Sequence, residues 1–285
     1  MRADHLLRVG RIPYANLLPL FHVLETRFPL DGVRFVTGAP AELNGKLRRG
    51  ALDLSPSSSI EYARHPGRYL LVPGLSIASR KEVMSVLLLS NMPLRALPDD
   101  PVAVSAASHT SAVLLEILLR ESLGRRNRLV RTALSAGEAL QKYPAYLAIG
   151  DAAIRASLDG TAPCVTDLGA WWRRETGLPF VFALWIVSRA ALPARGDAVR
   201  RFAGTLLEAK RIASRLMRSR ACEEIGPPWI PSAWRARYWR NLSYDLDAEL
   251  EGLARFFRLA QRIGRIPAVP ALRFLEPRSV AKRSW

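Results

Sequence analysis

The chain has 285 residues, 49% of them hydrophobic and 24% charged, a globular balance that excludes disorder and suits one large domain or two lobes of ordinary size. No apolar run approaches the roughly 18 residues of a membrane span. The formal net charge of +17 points to nucleic acid, an acidic membrane surface or an anionic small molecule as the class of partner.

The N-terminal stretch MRADHLLRVG has no apolar core and no small-residue cleavage site, so a cytoplasmic protein is expected. LLRVGRI then predicts a strand and LPLFHVLETRF a helix. VRFVTG predicts a second strand, followed by the helix APAELNGKLRRG, which Gly50 stops. ALDLSPSS is a short third strand entering a serine-rich loop. SSIEYARHPG and YLLVPGLSIA lead to VMSVLLLS (Val83–Ser90), an apolar run suited to a central strand.

A second block opens with NMPLRALPDDPVAVS, in which VAVS meets the loop AASHTS. SAVLLEILLRESLG follows as an amphipathic helix ending at Gly124. AYLAIGDAAI is a strand leading into a polar turn, LGAWWRRETG a short helix, and PFVFALWIVS the last strand. From Asp197 onward the chain reads as mainly helical, with a break at IGPPWIPS and a polar, basic tail, EPRSVAKRSW, expected to fray. The helical pattern RRFAGTLLEAKRIASRLMRSR puts its arginines on a solvated face. From Ser188 onward twenty Lys and Arg stand against nine Asp and Glu, and charge alone gives no reason to expect nucleic acid as the partner.

Alternating strands and helices mean α/β sheets with helices on their faces. The apolar runs Val83–Ser90 and Phe180–Ser188 bracket a middle block. They are expected to cross between two lobes, with residues 1–88 and 189–285 in the first and 89–188 in the second. A ligand would then lie in the cleft, touched by strand-end loops from both lobes.

Several chemistries are missing from the sequence. No GxGxxG opens a helix after a strand, GAPAELNGK has the wrong spacing for a P-loop, and there is no GxSxG elbow. Cys164 and Cys222 are far apart, and His5, His22, His65 and His109 never reach metal-ligand spacing. No metal and no cofactor is expected. Polar groups collect instead where strands end: Asn16 in IPYANLLPL, Ser57, Ser58 and Ser59 in SPSSSIEYA, and Ser108, His109, Thr110 and Ser111 in SAASHTSAVLLEILL. Hydroxyls and free N–H groups at a helix start bind carboxylate or phosphate, although N-capping alone also places Ser and Thr there. Ser85 sits at the proposed lobe junction. His109 could exchange protons near neutral pH, and a solvated histidine at a helix start is the plainer reading.

VGRIPYANLLPL, LDLSPSSSIEYARHPGRYLLVPGLSIAS, SVLLLS, SHTSAVLLEILL, AIGDAAI and DLGAWWRRETGLPFVFALWIV, in this order, together resemble the chorismate dehydratase family. The helical C-terminal third matches only in general character. The resemblance implies a two-lobed periplasmic-binding-protein-like fold used as a cytoplasmic enzyme. It also implies a reaction on the futalosine route to menaquinone: chorismate, a dicarboxylate, loses water to give 3-(1-carboxyvinyloxy)benzoate. Carried onto this sequence, the family's active-site asparagine falls on Asn16 and its cleft serine on Ser85. The hydroxyl clusters at Ser57–Ser59 and Thr110–Ser111 would seat carboxylates, with Ser108, His109, Gly150 and Asp151 completing the substrate-binding set. The proton acceptor is open between the substrate's own enolpyruvyl carboxylate, His109 and Asp151. A sister family, the 1,4-dihydroxy-6-naphthoate synthases, shares the implied fold but differs in its N-terminal motif and carries a histidine where Gly150 stands. The competing reading is a non-catalytic cytoplasmic binding protein or sensor for a small carboxylate. The sequence sets no oligomeric state.

Overall fold

A computed structural model describes residues 6–276; His5 and nearly all of the basic tail, residues 277–285, lie outside them. The first lobe begins with β1 (Leu7–Arg11), α1 (Leu18–Arg27), β2 (Val33–Thr37), α2 (Pro40–Arg48), β3 (Leu54–Ser58), α3 (Ser59–Arg64) and β4 (Tyr69–Ser79). The second holds β5 (Val86–Ser90), β6 (Val102–Ser105), α4 (Thr110–Leu123), β7 (Leu129–Thr132), α5 (Ala136–Lys142), β8 (Ala145–Ile149), α6 (Gly150–Leu158), β9 (Cys164–Asp167) and α7 (Leu168–Thr176). Then come β10 (Phe180–Ser188), α8 (Leu192–Leu216), α9 (Ser232–Asn241), β11 (Leu242–Ser243) and α10 (Leu250–Arg262).

The strands form two sheets. One has six strands in the order β11-β4-β10-β3-β1-β2, and the other five in the order β7-β6-β8-β5-β9. β1 runs parallel to β2 and β3, and β10 antiparallel to β3 and β4. In the second sheet β6 is parallel to β7 and β8, while β5 is antiparallel to β8 and β9.

These memberships correct the expected lobe boundaries. β5 lies wholly in the second sheet, so the first crossing falls at residues 80–85, before the strand and not within it. β10 lies in the first sheet, so the return crossing comes before Phe180. Both runs are buried on two faces, and such strands read as continuous apolar stretches whichever sheet they join. Hydrophobicity marked their centrality but carried no information about their neighbours.

The return crossing is held close to helix α10. A Cβ on Gly252 would stand 1.9 Å from the Pro179 carbonyl oxygen, so only glycine lets the helix approach. α8 buries Val199, Phe202, Leu206 and Ala213 against the first lobe and turns Arg201, Arg211 and Arg215 to solvent, as its sequence pattern predicts. Among the described residues no helix is long and apolar enough to cross a membrane.

Under this lobe Asp53 is fully buried. It accepts hydrogen bonds from the Arg8 backbone N–H at 2.8 Å and from the Arg8 and Arg195 guanidinium groups at 2.7 and 2.9 Å. Burial alone would raise its pKa, but these donors win and hold the carboxyl below its ordinary value. One carboxylate thereby joins β1, the start of β3 and α8. Replacing Asp53 with Ala removes the carboxylate that the Arg8 and Arg195 guanidinium groups and the Arg8 backbone N–H share and should cost about 3 kcal/mol. Urea unfolding followed by circular dichroism checks this, with the midpoint lowered and the slope unchanged.

Candidate active site

The loop after β1 carries Tyr14, Ala15 and Asn16, and three distant elements pin its backbone. The Ala15 N–H donates to Asp151 Oδ1 (2.9 Å), the Trp239 indole N–H to the Ala15 carbonyl (2.8 Å), and the Tyr244 hydroxyl to the Asn16 carbonyl (2.6 Å). The Asn16 side chain is left for the cleft. Among the described residues its Oδ1 has no hydrogen-bond partner although the atom is buried.

The first crossing is fixed by Asp167, the N-cap of α7. Its carboxylate accepts from the N–H groups of Val83 (3.0 Å), Met84 (2.6 Å) and Ala170 (2.9 Å). Met84 is held at φ 58, a left-handed conformation that a side chain of this size adopts only under constraint. Ser85 follows directly. Its Oγ accepts from the buried Tyr238 hydroxyl at 2.9 Å, and its carbonyl accepts from the Gly150 N–H at 2.8 Å. Burial raises the Tyr238 pKa far above neutrality, so the phenol stays protonated as the donor, and the Ser85 hydroxyl in turn donates a long bond to the Val83 carbonyl at 3.4 Å. Gly150 itself has φ +62, and a Cβ there would stand 2.6 Å from the Tyr14 ring. Glycine is required on both counts.

From the second lobe, α4 presents its N-terminus. His109 occupies the N-cap position without a side-chain capping bond, and the first turn carries no acidic residue. Among the described residues Ser108 Oγ is buried without a partner. Thr110 Oγ1 bridges to the first lobe, contacting Ser59 Oγ (3.2 Å) and accepting from the Ile60 N–H (3.2 Å). His109 Nδ1 meets Asn44 Nδ2 of α2 at 3.2 Å. Burial, and then the nearby Arg131 and Arg64 cations, depress the His109 pKa to about 4.

These elements enclose a cavity of about 70 Å³ between the lobes. Asn16, Ser58, Ser85, Ser108, His109, Thr110, Ser111 and Gly150 all line it. Three expected residues do not. Ser57 sits inside β3 opposite Leu184 of β10, one step out of register with the cavity-lining Ser58, so the strand's alternation keeps it off that wall. Ser59 contacts Thr110 instead, and the Asp151 carboxylate is committed to the Ala15 N–H. Larger depressions, one of about 230 Å³ beside Arg80 and Arg240 and one of about 720 Å³ beside Ser105 and Tyr146, hold none of the expected residues.

Residues that the sequence reading passed over are Asn44, Tyr238, Asp167 and Tyr14. Asn44 left a trace, as an amide between the apolar positions Leu43 and Leu47 of a helix. Tyr238 left none, since its partner Ser85 is 153 positions away. Among the described residues no group of three or more His, Cys, Asp and Glu is placed to hold a metal ion.

A family model for menaquinone biosynthesis matches residues 7–262. The chain belongs to the menaquinone biosynthesis family. Within this family setting, it is 35% identical over 255 residues to a chorismate dehydratase of Thermus thermophilus, covering 84% of this chain and 89% of that one. It is 32% identical over 179 residues to a chorismate dehydratase of Campylobacter jejuni, covering 61% and 64%. Solved structures share its fold at low identity. An Archaeoglobus fulgidus protein aligns with TM-score 0.65 at 17% identity, covering 93% of this chain and all of that one. The periplasmic aliphatic sulphonate binding protein of Escherichia coli aligns with TM-score 0.61 at 17% identity, covering 99% and 95%. The two-lobed fold of this family member is thus of the periplasmic-binding-protein type.

The depressed His109 pKa has a consequence for stability. The folded state holds the imidazole neutral down to about pH 4, whereas the unfolded chain protonates it near 6.5. The folded state therefore binds fewer protons in that window, and its stability should be fully present above pH 6.5 and fall as pH drops towards 4. Urea titrations across this range should show the loss, and His109→Gln should flatten this part of the slope.

Proposed function

We propose that this chain is a chorismate dehydratase, a carbon–oxygen lyase of the cytoplasm acting on the futalosine route to menaquinone. The observation that carries the reading is a set of unpartnered polar groups inside a cavity otherwise lined by apolar side chains such as Ile12, Ile77, Val86 and Phe182. Among the described residues, the buried Asn16 Oδ1 and Ser108 Oγ lack partners, and both residues line the cavity beside the uncapped N-terminus of α4. Buried polar groups are almost always satisfied, and an open helix start favours a carboxylate. A small anion that also carries a hydroxyl meets both requirements, the hydroxyl donating to Asn16 Oδ1 and the carboxylate accepting from Ser108 and the helix start. The relatives named chorismate dehydratase supply the candidate.

Chorismate carries a ring carboxylate and an enolpyruvyl carboxylate. Its dehydration removes the proton at the ether-bearing ring carbon and expels the neighbouring hydroxyl. The C–H electron pair becomes a ring π bond, the C–O pair leaves with oxygen, and the proton ends on the departing water. Aromatisation drives the step, so the protein needs chiefly to hold geometry and stabilise developing charge.

In this reading the Asn16 amide hydrogen-bonds the departing hydroxyl. Ser85, its oxygen already accepting from Tyr238, turns its proton from the long bond to the Val83 carbonyl toward the enolpyruvyl arm. Ser108, Ser111 and the first-turn N–H groups of α4 seat a carboxylate. The substrate's enolpyruvyl carboxylate takes the ring proton and passes it to the departing hydroxyl, which leaves as water. His109 is a weak base with its pKa near 4 and its Nδ1 already engaged, and Asp151 stands off the cavity, bonded to Ala15.

Purified protein incubated with chorismate should release an aromatic enol-ether acid over many turnovers, read by ultraviolet absorbance and proton NMR. A stable complex with unchanged chorismate would instead make the chain a binding protein. Asn16→Ala should lower kcat by about 10²- to 10³-fold, the usual cost of one lost charge-stabilising donor, with an unchanged melting temperature. Near-normal kcat in that variant would remove Asn16 from the chemistry.

A further inference from the structure

Asn44 is fully buried in the middle of α2, a position where an amide is costly unless every polar atom is used. All of them are used. The Ser58 backbone N–H donates to Oδ1 at 3.3 Å. That bond fixes which end of the amide is oxygen, because a backbone N–H can only donate. Both hydrogens of Nδ2 are then accounted for, one donated to Ser58 Oγ at 3.1 Å and the other directed at His109 Nδ1, 3.2 Å away. An imidazole nitrogen that receives an N–H carries no proton, so the ring's own proton must sit on Nε2.

We propose that Asn44 is a positioning residue of the active site, locking His109 as the neutral imidazole protonated on Nε2, so that this N–H is donated to a substrate carboxylate in the cavity. The inference deepens the dehydratase reading and rests on it for the identity of the carboxylate. Its structural half, the tautomer, stands apart from any substrate.

The lock has two physical advantages. A ring fixed in one tautomer and one rotation presents its donor without reorganisation at binding. Asn44 and Ser58 also belong to the first lobe and His109 to the second, so the bond exists only with the lobes together. Donor orientation is thereby tied to a shut cavity. The charged groups around the ring reinforce its neutrality. Arg131 of β7 donates to the Ser108 carbonyl at 2.6 Å, and Arg64 of α3 and Arg48 of α2 add further positive field, with Glu61 of α3 opposing them. Glu61 is bound bidentately by Arg48 and also accepts from the Tyr69 hydroxyl, which blunts its reach. His109 is therefore a poor proton acceptor and a suitable donor.

The decisive experiment is a two-bond proton–nitrogen correlation spectrum of protein labelled with ¹⁵N-histidine, recorded from pH 5 to 8 and assigned with His109→Gln. In the native protein the His109 Nδ1 should read as an unprotonated, pyridine-type nitrogen and Nε2 as protonated, with no titration across the range. Asn44→Asp places a carboxylate against Nδ1. It should move a proton there, bring the His109 titration into the range, and give kcat/KM for chorismate an inflection that the native enzyme lacks. Asn44→Ala should raise KM for chorismate about tenfold, the scale of one oriented hydrogen bond, with a smaller change in kcat.

A native spectrum with Nδ1 protonated, or with His109 titrating near 6.5, overturns the proposal even if neither variant folds. So does a folded Asn44→Asp protein whose His109 spectrum is unchanged. If the spectra behave as expected but chorismate is not turned over, the dehydratase reading fails while the tautomer lock stands. If chorismate is turned over and the spectra do not behave so, the lock alone is lost.

Discussion

The arrangement of the cleft depends on one carboxylate, Asp167, and the peptide groups it holds. Taking the N–H groups of Val83 and Met84 as well as capping α7, it forces the first crossing through a left-handed residue at Met84. That conformation sets where Ser85 stands. Ser85 in turn uses its carbonyl to hold Gly150 and its hydroxyl to meet Tyr238. Gly150 admits the Tyr14 ring, which brings the Asn16 loop against the second lobe. Each link is a hydrogen bond or a close approach with a single permitted residue type. Burial raises the Asp167 pKa, while four backbone N–H groups oppose that rise. The clamp thus balances the desolvation of one charge against a set of peptide donors, which gives it direction more than strength.

Around the cavity, polar contacts across the lobe junction are made by neutral groups, with Asp151 as the exception. Asn44 meets His109, Thr110 meets Ser59 and Ile60, and Tyr238 meets Ser85. Paired charges in the same positions would each require an exact counterpart to repay their desolvation. Neutral donors and acceptors carry a smaller penalty and can exchange partners with a ligand. The ion pairs lie away from the cavity: Arg8 and Arg195 with Asp53 and Arg48 with Glu61 inside the first lobe, and Arg265 with Glu116 between α4 and the segment after α10. Stability and recognition are therefore assigned to different chemistries.

That division explains how much of the protein could be read from its sequence. Strands, helices and stops follow from local periodicity and glycine placement, and Gly124 ends α4 in the left-handed conformation expected of it. The cavity-lining Asn16, Ser58, Ser85, Ser108, His109, Thr110 and Ser111 could be picked out because each stands at a strand end or helix start, where polar residues have a local reason to be noticed. Ser57 and Ser58 share the serine-rich end of a strand, where clustering of hydroxyls marks the segment but alternation sends neighbouring side chains apart. The assignment of β5 and β10 to opposite sheets could not be read, since both are uniformly apolar and pairing is a long-range choice. Tyr238 and Trp239 were lost in a helical third whose pattern reports only amphipathicity, yet they support Ser85 and the Asn16 loop across more than 150 positions.

The remaining constraint concerns charge and turnover together. Chorismate and its dehydration product are both dicarboxylates, so an attraction that acts on charge alone holds the two equally and cannot favour the transition state. The positive field of this chain, with Arg64 and Arg131 beside His109, serves to gather an anion and not to convert it. Discrimination has to come from groups that sense what changes during the reaction, namely the hydroxyl that leaves and the hydrogen that is lost. Asn16 and Ser85 are neutral and fixed from behind by Tyr244 and Tyr238, and in the proposed mechanism they face the place where that change occurs. A guanidinium in their position would bind product as tightly as substrate and slow its release. In the proposed mechanism, a largely apolar cavity whose polar groups are amide, hydroxyl and neutral imidazole, inside a strongly basic protein, is the arrangement that separates capture from catalysis.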